Sequence, residues 1–80
     1  MYFVYILQST RDQSYYTGVT TDLPARVRAH NQSKSTYSAK KIPFRLVWYC
    51  VFPGKTKAFA FERYLKAGSG FAFARKHLVP

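Results

Sequence analysis

Apolar and polar positions along the chain alternate in blocks that predict six elements. Tyr2 to Leu7 (YFVYIL) is an unbroken β-branched and aromatic run and predicts a strand. Polar Ser9 to Ser14 makes a hairpin connection longer than a tight turn. Tyr15 to Thr20 (YYTGVT) is the returning strand, so these two strands pair antiparallel. The period then changes. Asp22 suits a helix N-cap, because its carboxylate can accept an unpaired first-turn amide hydrogen, and Pro24 falls where its missing N–H costs little. The helix runs from about Asp22 to His30, with Arg26 and His30 one turn apart on one side and Leu23 and Val27 beside them facing the core. Asn31 to Lys41 (NQSKSTYSAKK) is a polar, basic loop in which Lys34, Lys40 and Lys41 read as solvated, and Pro43 ends it. Phe44 to Phe52 (FRLVWYCVF) is nearly all apolar and predicts a strand in the middle of the sheet, covered on both faces. Pro53-Gly54 marks a turn. Thr56 can cap a second helix, Lys57 to Ala67, whose Ala58, Phe61 and Leu65 recur at helical spacing. Gly68 is placed to end that helix as a C′ glycine, and Ser69 can cap a third, short helix through Lys76.

The order β-β-α-β-α-α predicts an α+β fold, a single small domain over residues 1–80 with a three-stranded antiparallel sheet packed with helices. So short a chain hides limited apolar area, and its 19% aromatic content, with seven Tyr and seven Phe, supplies large side chains for the core. The one cysteine, Cys50, excludes an internal disulfide, suits a reducing compartment and reads as a small buried hydrophobe. The first ten residues lack a basic leader region and are too short to span a bilayer, which points to a cytoplasmic protein.

Charge narrows the function. Thirteen Lys and Arg against three Asp and Glu leave a formal +10, and such an excess attracts polyanions, nucleic acid above all. A basic surface with no partner is the plain alternative, but self-repulsion destabilises a small fold. A membrane surface fits less well, since no basic amphipathic helix carries a wide apolar face.

The few acids can be weighed singly. Asp12 reads as a turn residue and Asp22 as a cap. Glu62, the only glutamate, sits beside the Ala58/Phe61/Leu65 stripe. It can form an i,i+4 pair with Lys66 worth a few tenths of a kcal/mol. The alternative is that it holds Mg²⁺, which is often bound by a lone carboxylate with waters and substrate phosphate. Tyr15, Tyr16, Gly18, Arg26 and His30 concentrate around the second strand and first helix. Each has an ordinary reading too: strand aromatics, a close-approach glycine, a snorkelling arginine, a helix-end histidine. No Cys/His cluster, Walker loop, Ser/His/Asp set or paired carboxylate occurs, and a two-metal nuclease site would need more acids.

Together these residues resemble the GIY-YIG nuclease family. Phe3-Val4-Tyr5 corresponds to the first half of its signature and Tyr16-Thr17-Gly18 to the second, with the signature tyrosines 11 positions apart. Phe3 stands for the usual glycine and Thr17 for the usual aliphatic residue, neither of which supplies a reacting group. Arg26 and His30 match the family's helix pair and Glu62 its metal-binding glutamate. The resemblance covers essentially the whole chain and is closest to short, single-domain, uncharacterised bacterial proteins classed with endonucleases.

That resemblance implies phosphodiester hydrolysis in DNA with one divalent ion, Mg²⁺ or Mn²⁺. Glu62 would anchor the ion and Arg26 would stabilise charge developing on the phosphoryl oxygens. Tyr5 or Tyr16, its phenol pKa lowered by metal and cations, would accept a proton from water; Tyr5 is favoured, with Tyr16 and His30 orienting it or the water. Lys40, Lys41, Arg45, Arg75 and Lys76 become candidates for phosphate contacts that position without reading sequence. The rival functions are a non-catalytic nucleic-acid-binding module of the same fold and a basic protein–protein adaptor.

Overall fold

The computed structural model describes residues 1–32 and 39–80, so the expectation for Lys34 lies outside the described residues. Three antiparallel strands, β1 (Tyr2–Ser9), β2 (Tyr15–Thr20) and β3 (Phe44–Phe52), form one sheet in the order β2-β1-β3. Helices α1 (Leu23–Asn31), α2 (Lys55–Lys66) and α3 (Gly68–His77) complete the β-β-α-β-α-α order. The α+β class and element order are therefore as the sequence predicts.

The central strand is β1, not β3. Val4, Tyr5, Ile6 and Leu7 are all essentially excluded from solvent, so β1 is apolar on both sides and both are used. Alternation sends Val4 and Ile6 to one face, against Ala58 and Leu65 of α2 and Ala74 of α3. It sends Tyr5 and Leu7 to the other, against Leu23 of α1 and Phe44. β3 is an edge strand, with Leu46, Tyr49 and Val51 left partly exposed. The continuous apolar run misleads because so small a domain has too little helix to cover every apolar side chain it carries. Cys50 accordingly is half-buried rather than fully so.

The hairpin turn starts later than its polar composition suggests. Ser9 belongs to β1 and is buried; its Oγ accepts from the amides of Arg11 and Asp12 and donates to the Lys41 carbonyl. Asp12 is the turn residue expected, accepting from the Ser14 amide and hydroxyl. The Lys41 ammonium binds Asp12 and Ser14, so Lys41 is anchored rather than solvated, and that ion pair holds the Asp12 carboxyl well below the ordinary carboxylate range.

The caps of the last two helices also differ from expectation. α2 starts at Lys55 from extended Gly54, and no side chain caps it, so Thr56 lies inside the first turn. One extended residue, Ala67 (φ −94°, ψ 162°), separates α2 from α3, which makes Gly68 the first residue of α3 rather than a left-handed stop and puts Ser69 within that helix. The two helices can meet so abruptly because of Gly70, where a Cβ would lie 2.5 Å from the Tyr64 carbonyl carbon. Among the described residues, no helix is long and apolar enough to cross a membrane.

Candidate active site

The site forms on the α1 side of the sheet, where β1 and β2 pair. Tyr5 stands opposite Gly18 in the register, and its ring lies directly over that glycine. A Cβ at Gly18 would sit 2.6 Å from the Tyr5 Cζ, which is why this position has no side chain. Tyr16, two residues from Gly18, shares that face, its ring centroid 6.4 Å from that of Tyr5.

The helix that follows β2 is set by local chemistry. The Asp22 carboxylate accepts from the Ala25 amide at 3.1 Å, and Pro24 occupies the first turn, as the sequence predicts. Leu23 is buried and pulls α1 onto the sheet. At the other end the Asn31 side chain clasps β3 through both its polar atoms: Oδ1 accepts from the Phe44 amide at 2.6 Å and Nδ2 donates to the Phe44 carbonyl at 3.1 Å. Between these anchors His30 reaches the tyrosines. Its Nε2 lies 3.2 Å from the Tyr5 hydroxyl, and its ring centroid 4.5 Å from that of Tyr16. With Nε2 unprotonated, the phenol donates this bond.

Electrostatics reinforce that arrangement. Burial, with the nearby Arg26 cation as the lesser cause, holds the His30 pKa below the usual imidazole value, so the ring is neutral at pH 7. Burial pushes the Tyr5 phenol up to about 12; Tyr16 and Glu62 add to the rise, and Arg26 opposes it without prevailing. The expectation of a lowered phenol pKa is thus reversed in the protein alone. Desolvation of the 1% exposed Tyr5 outweighs one cation on a solvent-facing side chain.

Glu62 enters from α2, which packs on the opposite face of the sheet. Its side chain is 15% exposed and its Oε2 accepts from the Lys66 ammonium at 2.8 Å. Lys66 also stands over the Tyr16 ring, 5.9 Å from its centroid, so this end of α2 reaches Tyr16. Tyr5, Tyr16, Arg26, His30 and Glu62 are therefore brought into one neighbourhood. Lys66 was legible only as the i,i+4 partner of Glu62; its place over Tyr16 depends on tertiary packing that no local pattern encodes. Asn31 at the end of a helical stretch is an ordinary cap residue, which hides its clasp on β3.

The donor set bears on any metal. Among the described residues no group of three or more His, Cys, Asp and Glu converges, which does not suit a cation wanting a full protein cage. One largely shielded carboxylate does fit Mg²⁺ or Mn²⁺, which keep waters and take phosphate oxygens.

The basic residues proposed for phosphate contact are dispersed. Lys40 is exposed in the connection before β3, next to the anchored Lys41. Arg45 pairs with Gln8, which points away from Tyr5, and donates to its amide oxygen at 3.3 Å. Arg75 lies over the Phe71 ring, and Arg75 and Lys76 are exposed in the last turn of α3. The five are thus spread over β3, the connection before it and α3 rather than gathered on one element.

The chain resembles known proteins in sequence and in fold. Residues 1–73 match the family model described as the GIY-YIG catalytic domain. The UPF0213 protein BH0048 of Halalkalibacterium halodurans is 41% identical over 66 residues, covering 81% of this chain and 69% of the relative. A UPF0213 protein of Lacticaseibacillus paracasei is 38% identical over 66 residues, covering 81% and 73%. The solution NMR structure of UPF0213 protein BH0048 from Bacillus halodurans superposes with a TM-score of 0.60 at 33% identity, covering 100% of this chain and 89% of that one. The chain belongs to the GIY-YIG family.

Proposed function

We propose that this protein is a metal-dependent endonuclease hydrolysing phosphodiester bonds in DNA. The observation that carries the reading is the Tyr5–His30 hydrogen bond, made over Gly18 and beside Tyr16, Arg26 and the one glutamate of the chain. A phenol with a pKa near 12 is a poor base alone, because almost none of it is ionised at neutral pH. Joined to a neutral imidazole, it has no need to ionise first. The Tyr5 oxygen takes a proton from the attacking water as its own proton passes to His30 Nε2. The water oxygen bonds to phosphorus, the phosphorus–oxygen bond to the leaving nucleoside breaks, and solvent protonates that oxygen. Arg26, exposed beside both groups, faces the charge that builds on the phosphoryl oxygens. Tyr16 packs against the imidazole and fixes its plane. Glu62 would hold Mg²⁺ or Mn²⁺, which when bound supplies positive charge beside the phosphate.

Cleavage of a panel of DNA structures in Mg²⁺ or Mn²⁺ tests the assignment. Tyr5→Phe should lower turnover by about 10² to 10⁴ while leaving binding nearly unchanged, the range for loss of a positioned proton acceptor. Wild-type turnover in Tyr5→Phe would remove Tyr5 from the chemistry. The second reading is a non-catalytic nucleic-acid-binding module, favoured by the ion pair that already occupies Glu62. It requires salt-sensitive DNA binding with no metal-dependent cleavage by the wild type.

A further inference from the structure

Lys66 stands where a cofactor cation and the catalytic aromatics would meet. Its ammonium is bonded to Glu62 Oε2 at 2.8 Å and lies over the face of Tyr16, the ring that packs on His30. The two partners differ in exposure, 15% for the Glu62 side chain and 51% for that of Lys66. The carboxylate is held in place at the wall of the site. The lysine reaches it from the solvent side on four rotatable bonds and can leave without disturbing α2. Charge makes that pairing consequential. Glu62 is the only acid on α2 and α3, and a part-shielded carboxylate near Tyr5 would be costly without a cation.

From this geometry we propose that Lys66 is the resident cation of the site. It neutralises and orients Glu62 in the metal-free protein and must be displaced when a divalent ion takes the carboxylate. The proposal rests on Glu62 being the metal ligand. It makes Lys66 a positioning residue that tunes metal affinity. The sign of its effect is the discriminating feature. A lysine that merely braced the helix would, on removal, leave metal affinity unchanged or loosen it. A competitor for the carboxylate, on removal, tightens it.

Mn²⁺ affinity, read by the loss of the free-ion EPR signal in the absence of nucleic acid, tests this directly. The titration is run in 0.5 M salt, where repulsion beyond contact range is largely screened. Lys66→Met, which keeps the stem but not the charge, should bind Mn²⁺ about three- to fivefold more tightly than wild type, the size expected when a half-exposed ion pair no longer competes. Lys66→Arg should restore wild-type affinity. Arg63→Met, one charge removed elsewhere on α2, should change it little. Equal or weaker Mn²⁺ binding by Lys66→Met, with its melting temperature unchanged, would overturn the proposal. So would an equal gain in Arg63→Met, since the effect would then be net charge alone. Glu62→Gln distinguishes the two levels: loss of Mn²⁺ binding supports the underlying ligand assignment. Retention of wild-type binding would overturn that assignment and the role of Lys66 with it.

Discussion

Tyr5 is a phenol buried between the sheet and α1, and burial governs its ionisation. An ordinary tyrosine ionises near 10.0, whereas burial carries Tyr5 to about 12. Absorbance titration of the phenols should therefore show one tyrosine ionising late, and Tyr5→Phe should remove that step. The linkage has a definite sign. Between pH 10 and 12 the unfolded chain has released this proton and the folded chain still holds it, so the contribution to stability is lost as pH rises through that window. His30 acts at the opposite end. Its folded pKa lies below the ordinary 6.5, so the unfolded state takes up the proton first and stability falls as pH drops below 6.5 toward the folded value. An NMR titration with the His30 midpoint at or above 6.5 would contradict a buried, neutral imidazole. Gly18→Ala brings a methyl group within 2.6 Å of the Tyr5 Cζ. It should cost about 1–3 kcal/mol in denaturant unfolding and displace the ring from His30. The ordered set Tyr, Tyr-x-Gly, Arg, His, Glu was legible in the sequence because its order is specific. Its electrostatics were not, since the phenol pKa depends on how completely the fold dries the ring.

Helix α1 carries the site through its two attachments rather than through its own stability. Nine residues are too few for an isolated helix to persist in water, so the Asp22 cap and the Asn31 clasp determine whether Arg26 and His30 stay in place. Asn31→Ala removes two hydrogen bonds and leaves the Phe44 amide and carbonyl without those partners. A loss of about 1–3 kcal/mol in unfolding free energy is expected, with turnover falling further than stability because His30 lies one residue away. A loss below about 0.5 kcal/mol would show the clasp to be replaced by water. The cap was readable, since an aspartate before Leu-Pro announces itself chemically. The clasp was not, because its partner lies 13 residues on, in another element. The same division explains β3 and Thr56. Composition identified a strand and a helix start, but strand order depends on which faces the helices cover, and the α2 start on where Pro53-Gly54 releases the chain.

Taken whole, the molecule pairs one compact corner of aromatic and titratable side chains with a cationic surface that extends well beyond it. With a net charge of +10 and cations on several elements, it should bind nucleic acid with log K falling against log salt at a slope of about −0.9Z for Z neutralised phosphates on duplex DNA. A flat salt response would remove nucleic acid as the partner. Because Arg45, Arg75 and Lys76 lie away from Tyr5, replacing any one with alanine should weaken binding slightly and leave single-turnover cleavage intact. Composition showed the excess of cations but not where on the fold they lie. Whether the corner is reactive turns on Glu62, largely shielded and ion-paired with Lys66 one turn on in the same helix. Single-turnover DNA cleavage in Mg²⁺ by Glu62→Gln, beside its DNA affinity and unfolding midpoint, decides between enzyme and binder. The side chain keeps its volume and one carbonyl oxygen but loses the charge that holds a divalent ion against water. The expected result is cleavage abolished, affinity nearly unchanged and stability within a few tenths of a kcal/mol of wild type. Cleavage at the wild-type rate by Glu62→Gln would contradict the metal-dependent mechanism and leave Glu62 a helix-surface partner of Lys66.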